Sequence, residues 1–283
     1  MTAARHEDRA IGARLAALDA GLRAAGSLLV AFSGGADSAF LLAAAVRALG
    51  SEHVVAATAV SPSLPATELA GARTFARALG VRHFAPRTDE MRRPGYAANG
   101  PDRCFHCKAE LLDVLTPLAH GLGLTAVATG TNADDLGAGF RPGISAAARA
   151  GAITPLADAG LTKQQVRAAS RTWGLATADK PAAACLSSRV AYGVAISPAR
   201  LGRIEHAERA LKVALADAGL PVRDLRVRDL GTHARVEVDR DLVDELARRP
   251  HLLDAVVGFD AVSVDPRGFR SGSMNEALTR TAG

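Results

Sequence analysis

The stretch LLVAFSGGADS, residues 28–38, decides the fold of this chain. Its apolar run, Leu28 to Phe32, predicts a short buried strand, and the Ser33-Gly34-Gly35 sequence after it predicts a tight turn. Residues of helical composition follow, from Asp37 to Leu49. A glycine turn between a strand and a helix lets the backbone approach a ligand closely and directs helix N–H groups toward it. We interpret this stretch as a cradle for pyrophosphate.

The residues of the glycine turn show which nucleotide-binding motif it matches. It lacks the lysine of a Walker A loop and the spacing of GxGxxG, and it matches the SGGxDS signature. In this it resembles the PP-loop ATP pyrophosphatases, which cleave ATP between the α and β phosphates and adenylate an oxygen atom of the substrate. The alternative is an ordinary glycine-rich turn. The residues expected to bind ATP here are Ser33, Gly34, Gly35, Asp37 and Ser38.

The rest of residues 1–192 alternates strands with helices. This alternation predicts an α/β fold in which helices cover both faces of a parallel sheet and ligands bind beyond the carboxyl ends of the strands. With the signature above, it resembles the PP-loop (adenine nucleotide alpha hydrolase-like) ATP-binding domain. The predicted strands are His53–Val60, Val81–Ala85 and Thr125–Thr129, and the predicted helices are Ala66–Leu79, Phe105–His120 and one from the cap Thr162 to about Trp173.

The pattern changes after residue 192, and residues 193–283 predict a smaller C-terminal α+β domain. A long helix is expected to begin at Ser197-Pro198, because serine is a good N-cap and proline suits the first turn. It ends near Ala218. The other predicted elements are the strands Val222–Val227, Ala234–Val238 and Ala261–Val264 and the helix Asp241–Arg249.

Polar residues follow two further strands of the predicted sheet. Thr58 lies near the end of the second strand, where the adenosine of ATP would lie in such a fold, and Gly130 follows the fourth. Mg²⁺ prefers a few carboxylates together with phosphate oxygens. Asp37, Asp134 and Asp135 are therefore candidates for holding Mg²⁺ beside the pyrophosphate, and helix capping is the alternative role for the last two.

The three cysteines suggest a second kind of site. An odd count argues against a disulfide framework. Cys104 and Cys107 form a CxxC pair at a predicted helix start, which favours the thiolate form. Together with Cys185 they could hold a [4Fe-4S] cluster in which one iron has no protein ligand. Zinc, with His106 or another residue as a fourth ligand, and redox-active thiols are the alternatives.

The chain resembles the LarE family from the SGGADS loop to the stretch Gly268–Gly272, and the Cys185-Leu186-Ser187-Ser188-Arg189 segment is part of the likeness. Members of that family adenylate a carboxylate of pyridinium-3,5-biscarboxylic acid mononucleotide and convert it to a thiocarboxylate. The three cysteines match the type that relays sulfide through a cluster rather than sacrificing a cysteine. The resemblance thus implies ATP, Mg²⁺ and a [4Fe-4S] cluster, a sulfide or persulfide donor, and a homo-oligomer.

The resemblance also assigns roles outside the loop and the cysteines. Arg226 and Arg228 alternate on a predicted strand and share one face, where two guanidinium groups could hold a phosphate or a carboxylate. The alternative is a solvent-facing strand surface. The family implies that Ser188 and Arg189 join this pair in binding the substrate. It places Glu208 near the active site, and Lys108 could stabilise the adenylate or its leaving group; surface positions are the alternatives for both.

Charge and hydropathy limit the remaining classes. The net charge of +5 and pI of about 9.5 suit an anionic partner, such as a nucleotide, phosphate or RNA. A tRNA thiolase is one alternative function, although no RNA-binding module is recognised and nucleic acid is not expected as a partner. An ammonia-dependent synthetase of the NAD synthetase type is another. No apolar run is long enough to cross a bilayer, and the expectation is a cytoplasmic protein without a membrane partner.

Overall fold

The computed structural model describes residues 2–137, 142–181, 184–270 and 272–276, with side chains from residue 11 onward. Ser271, within the predicted stretch Gly268–Gly272, lies outside the described residues. The chain divides into two compact units: Met1–Glu90 with Cys104–Ala183, and Met91–Arg103 with Ala184–Gly283. Each unit draws on two separate stretches of the chain, and the domain boundary expected after residue 192 stays a prediction.

The first unit contains a parallel sheet of four strands, and the predicted α/β class is confirmed. The strand order is β3-β2-β1-β4. Leu28 of β1 lies opposite Val54 on one side and Ala126 on the other. β2 lies on one side of β1 and β4 on the other, so the strand order reverses at β1. In open α/β sheets, ligands bind beyond the carboxyl ends of the strands at such a point. The strands are β1 (Leu28–Ala31), β2 (Val54–Ala57), β3 (Arg82–Phe84) and β4 (Ala126–Thr129).

The helices were predicted in part. The helices expected near residues 37–49, 66–79, 105–120 and 163–173 are present, and the N-terminal helix was not foreseen. The described α-helices are α1 (Thr2–Ala25), α2 (Ala36–Leu49), α3 (Ala66–Ala78), α4 (Pro94–Ala97), α5 (Arg103–Gly121), α6 (Ala133–Gly137), α7 (Pro142–Arg149), α8 (Pro155–Asp158), α9 (Lys163–Thr172), α10 (Pro198–Asp217) and α11 (Val243–Arg248).

Helices cover both faces of the parallel sheet, because successive strand side chains point to opposite sides. Leu28 and Val30 pack in one core cluster with residues of α1, α2, α3 and α9. Leu29 packs in another cluster with Leu112 and Leu115 of α5. The carboxyl edge of the sheet is therefore the part left to the loops, which is where the candidate nucleotide residues lie.

The second unit contains a sheet of order β5-β6-β7, in which β5 (Leu225–Asp229) is antiparallel and β7 (Ala261–Val264) parallel to β6 (His233–Val238). The helix α10 begins as predicted, with the hydroxyl of Ser197 accepting from the Arg200 N–H at 3.3 Å. The strand expected at Val222–Val227 begins later, because the Arg223 and Asp224 N–H groups bond to the Asp239 carboxylate instead of a ladder.

The helix expected at Asp241–Arg249 is a 3₁₀ turn, Arg240–Leu242, that continues into α11. None of the described helices has the length and apolar character needed to span a membrane.

Candidate functional site

The segment Ser33–Ser38, here called the phosphate loop, turns the chain from β1 into α2. Gly34 has φ = 75°, a left-handed value that favours glycine. Gly35 is the N-cap of α2 and has no side chain to cap the helix, so the first-turn N–H groups keep their hydrogen-bonding capacity for a ligand. The hydroxyls of Ser33 and Ser38 lie 3.1 Å apart, and Ser38 also donates to the Gly35 carbonyl. The loop therefore combines backbone donors, hydroxyls and the positive end of a helix.

Gly130, at the end of β4, is packed directly against the phosphate loop. A Cβ atom at this position would lie 2.8 Å from the Ser38 backbone nitrogen and 2.9 Å from its Cα atom. Only glycine allows β4 to end this close to the first turn of α2. Close packing therefore explains why a glycine occupies position 130, and the predicted contact of Gly130 with ATP stays a prediction.

Asp37, in the first turn of α2, has an unusual carboxylate. Among the described residues, its Oδ1 atom is buried and has no hydrogen-bond partner. Burial raises the pKa of Asp37; Lys163 lowers this pKa, Asp135 raises it, and Arg167 and an Asn132 hydrogen bond lower it. A buried carboxylate oxygen without a partner, beside a second acidic residue, is an arrangement that a bound cation would satisfy. Asp37 therefore fits a role in holding Mg²⁺.

Asp134 and Asp135 both make hydrogen bonds at helix starts. The side-chain oxygen of Asn132 accepts from their two N–H groups, and Asp135 in return accepts from the Asn132 N–H at 3.2 Å. The Asp134 carboxylate accepts from the Lys163 N–H at 2.8 Å, at the start of α9. The capping alternative is thus visible for both aspartates, while the Mg²⁺ role stays a prediction. Asn132 itself was missed from the sequence.

Thr58 joins the carboxyl ends of three strands. Its buried hydroxyl donates to the Phe32 carbonyl at 2.7 Å and lies 2.8 Å from Nε2 of His83. A hydroxyl has one hydrogen, so His83 must donate through Nε2. Burial, then the charge of Arg73, lowers the pKa of His83, which keeps the ring neutral. The hydroxyl of Thr58 therefore organises the sheet edge, and its contact with adenosine stays a prediction.

The CxxC pair lies on the first turns of α5 in the first unit. Cys104 is exposed and Cys107 half-buried, and residues three apart share one helix face. Lys108 follows them; burial lowers its pKa, while Cys107 and Asp135 raise it. The neighbouring helix α7 packs on this turn, since a Cβ atom on Gly143 would lie 3.4 Å from the Cys104 carbonyl oxygen.

Cys185, in the second unit, begins the 3₁₀ turn Leu186–Arg189. Its Sγ atom lies 3.0 Å from the hydroxyl of the fully buried Ser187. Arg189 donates to the Cys185 carbonyl at 3.1 Å and makes a two-bond ion pair with Glu208, at 3.0 and 3.2 Å. Glu208 also accepts from the Val227 N–H at 3.0 Å. The structure places Glu208 as a support for the cysteine turn, and its catalytic role stays a prediction.

Three guanidinium groups lie close enough to influence one another's charge. They belong to Arg189, Arg226 and Arg228, here called the arginine cluster. Burial lowers the pKa of Arg226, as do the charges of Arg189 and Arg228, whereas Glu208 and Asp224 raise it. Arg228 is 5% exposed and bonds twice to the fully buried Glu237, at 2.9 and 2.7 Å, and to the Ser188 carbonyl at 3.1 Å. The charge of the cluster suits an anion, although most N–H groups of Arg228 already donate to other protein groups.

Arg103 and Asn99 were missed from the sequence. Asn99 is fully buried, has φ = 57°, and donates to the Ala191 and Val194 carbonyls at 2.7 and 3.0 Å. Arg103, the residue before Cys104, bonds to Asn99 and donates to the Ser187 carbonyl at 3.1 Å. These bonds fix the turn that carries Cys185 from within its own unit.

The predicted metal site is the one that Cys104, Cys107 and Cys185 would form. Over the ranges that the structure covers, no three His, Cys, Asp or Glu side chains form a group able to hold a metal ion. The cysteines form no disulfide, and three thiols are a suitable donor set for an iron–sulfur cluster. Two of them belong to one compact unit and the third to the other, so the cluster stays a prediction.

The parallel sheet, the glycine-rich loop after β1 and the polar residues beyond β4 make this an α/β protein consistent with a Rossmann-like or PP-loop fold. No family model matches the chain. An uncharacterized protein of Synechocystis is 40% identical, over 89% of this chain and 93% of that protein. The pyridinium-3,5-bisthiocarboxylic acid mononucleotide synthase of Lactiplantibacillus plantarum is 31% identical, over 95% of this chain and 96% of the synthase. The chain belongs to the LarE family.

Proposed function

We propose that this chain is an ATP-dependent sulfur transferase that adenylates a carboxylate of pyridinium-3,5-biscarboxylic acid mononucleotide and converts it to a thiocarboxylate. The observation that carries the proposal is the match to the synthase, whose name states its product, over 95% of the chain. The phosphate loop supports the ATP-dependent part, because it offers backbone donors and a helix start to a pyrophosphate.

Adenylation is needed because a carboxylate is a poor electrophile. In the first half-reaction a carboxylate oxygen of the substrate attacks the α-phosphorus of ATP, and the bond to the β-phosphate bridge breaks. Pyrophosphate leaves with the electron pair. The phosphate loop would hold the departing group, and Mg²⁺ held by Asp37 would neutralise charge on the phosphates.

The arginine cluster suits the substrate, which carries a phosphate and two carboxylates. We assign substrate binding to residues 193–283, with Ser188 and Arg189 from the cysteine turn. Arg226 is half-buried, and burial and the charges of Arg189 and Arg228 lower its pKa, an effect that a bound anion would offset. Arg228 and Glu208 act by holding Ser188 and Arg189 in place.

In the second half-reaction a sulfide sulfur attacks the acyl carbon, the C–O bond breaks, and AMP leaves with its electron pair. A [4Fe-4S] cluster held by Cys104, Cys107 and Cys185 would supply that sulfide when bound. The three cysteine side chains would position it, and Lys108, partly buried beside Cys107, would face the developing negative charge of the leaving group.

The experiment is an anaerobic assay with ATP, Mg²⁺ and the dicarboxylate mononucleotide, which follows pyrophosphate, AMP and substrate mass. We expect pyrophosphate and AMP only when the mononucleotide is present, and a mass gain for oxygen replaced by sulfur. Cys185→Ser should keep pyrophosphate release and lose the mass gain. Release of ADP instead of AMP, or AMP formation with tRNA and none with the mononucleotide, would exclude the proposal.

A further inference from the structure

Lys180 connects the phosphate loop to a distant part of the first unit. Its ammonium group donates to the Gly34 carbonyl at 2.9 Å and to the Glu68 carboxylate of α3 at 2.6 Å. The side chains of Lys180 and Glu68 are 27% and 20% exposed, so this ion pair is more shielded than an ordinary surface pair. Lys180 lies 146 residues from Gly34 in the chain.

The peptide whose carbonyl accepts from Lys180 joins two glycines, Gly34 and Gly35. A trans peptide is planar, so its carbonyl and its N–H group point in opposite directions. Gly34 and Gly35 flank this peptide without Cβ atoms, so little steric resistance opposes a flip. The Gly35 N–H lies on the side of the Ser33 hydroxyl, to which it makes a long hydrogen bond of 3.4 Å. A flip would turn the Gly34 carbonyl toward that side, and a phosphate bound there would meet a negative end instead of a donor.

Further contacts hold both the backbone of Lys180 and the loop that it reaches. Arg167 of α9 donates to the Ala178 and Lys180 carbonyls, both at 2.7 Å, and thereby holds the backbone that carries the lysine. On the other side, a Cβ atom on Gly34 would lie 3.6 Å from the Glu68 carbonyl oxygen. The loop therefore rests on α3, and the carboxylate that orients Lys180 comes from the same helix turn.

We propose that Lys180 is a positioning residue that holds the Gly34 carbonyl away from the anion side and so keeps the Gly35 N–H directed at the pyrophosphate. Lys180 acts through the loop rather than by touching the ligand. The inference deepens the proposed function, since ATP is the ligand that the loop serves, and its first test needs no ligand.

That test is hydrogen exchange of peptides covering residues 32–42 in ligand-free protein. In Lys180→Met we expect faster exchange there than in wild type, because the loop loses its anchor. Lys180→Arg can still donate to the carbonyl and should restore slower exchange. The matched control is Lys212→Met, the same change at an exposed position in α10, which should leave these peptides unchanged. Unchanged exchange in Lys180→Met would overturn the inference.

The second test is calorimetric titration with pyrophosphate and with ATP, both with Mg²⁺. Loss of one charge-assisted hydrogen bond predicts binding about tenfold weaker or more in Lys180→Met, for both ligands alike. Lys180→Met also leaves the Glu68 carboxylate without its cation, which could destabilise the fold. The double variant Lys180→Met with Glu68→Gln removes that unpaired charge, so any remaining binding loss comes from the lost contact with the Gly34 carbonyl. Equal binding by this double variant and Glu68→Gln contradicts the inference. Wild type that binds neither ligand contradicts the proposed function instead, while the exchange result still decides the role of Lys180.

Discussion

The phosphate loop and the arginine cluster are both predicted anion sites, and they treat their polar groups in opposite ways. The loop leaves the first N–H groups of α2 without a side-chain cap, and one buried oxygen of its Asp37 has no partner among the described residues. In the cluster, the guanidinium group of Arg189 is paired with Glu208 and that of Arg228 with Glu237. The difference is that Arg189 and Arg228 already have carboxylate partners within the protein, whereas the start of α2 has no side-chain cap.

The comparison is tested most strongly at Arg228. In Arg228→Ala the fully buried Glu237 loses its main cation, and breaking such a pair costs about 3–5 kcal/mol of unfolding free energy. Urea unfolding of the purified protein measures this. Arg223→Ala, at a side chain that is 85% exposed, is the control and should change stability by less than about 0.5 kcal/mol. If Arg228→Ala is as stable as the control and only weakens substrate binding, Arg228 is a ligand and not a support.

Asp37 should show the opposite balance, with function lost and stability kept. Asp37→Asn removes a charge that would hold Mg²⁺, and we expect pyrophosphate release to slow by about a hundredfold. Because burial raises the pKa of Asp37, its ionised form costs stability above the unfolded-state pKa, and the neutral amide should leave stability equal or higher. Rate and urea midpoint are measured on the same sample. A variant with normal turnover would remove Asp37 from the Mg²⁺ site.

Gly130 tests whether the loop depends on close packing. The Cβ atom of Gly130→Ala would meet backbone atoms of Ser38, which cannot yield as a flexible side chain would. We expect a loss of about 1–3 kcal/mol in stability and weaker pyrophosphate binding by calorimetry. Gly121→Ala, with no atom within 4 Å of its Cβ position, is the control and should be neutral or slightly stabilising. Equal behaviour of the two variants would show that the loop tolerates displacement.

The parts of the fold that could be predicted from the sequence are those with a local signal. The apolar run before the glycine turn indicated β1, and Thr162 and Ser197 marked helix starts that the structure confirms. The helix α1 was missed although Ile11, Leu15, Leu18 and Leu22 repeat at helical spacing; the last two are buried in the core.

The supports of the candidate site could not be predicted, because they join residues far apart in the chain. Lys180 reaches Glu68 across 112 positions, and Arg103 reaches Ser187 across 84. No spacing rule links such pairs, and each lysine or arginine on its own reads as surface charge. Residues that would touch a ligand sit in recognisable motifs, whereas those that hold the motifs in place depend on the tertiary structure.

The smallest expected effect tests a local signal that the sequence did reveal. The hydroxyl of Thr162 accepts from the Gln165 N–H, and Gln165 accepts in return from the Thr162 N–H, which forms a capping box. Thr162→Ala should therefore cost about 1 kcal/mol of unfolding free energy. The control is Thr172→Ala, at the exposed last residue of α9, which should stay within about 0.5 kcal/mol of wild type. Pyrophosphate binding should be unchanged in both, because the cap supports α9 and not the phosphate loop; a binding loss in Thr162→Ala alone would extend the functional site to the start of this helix.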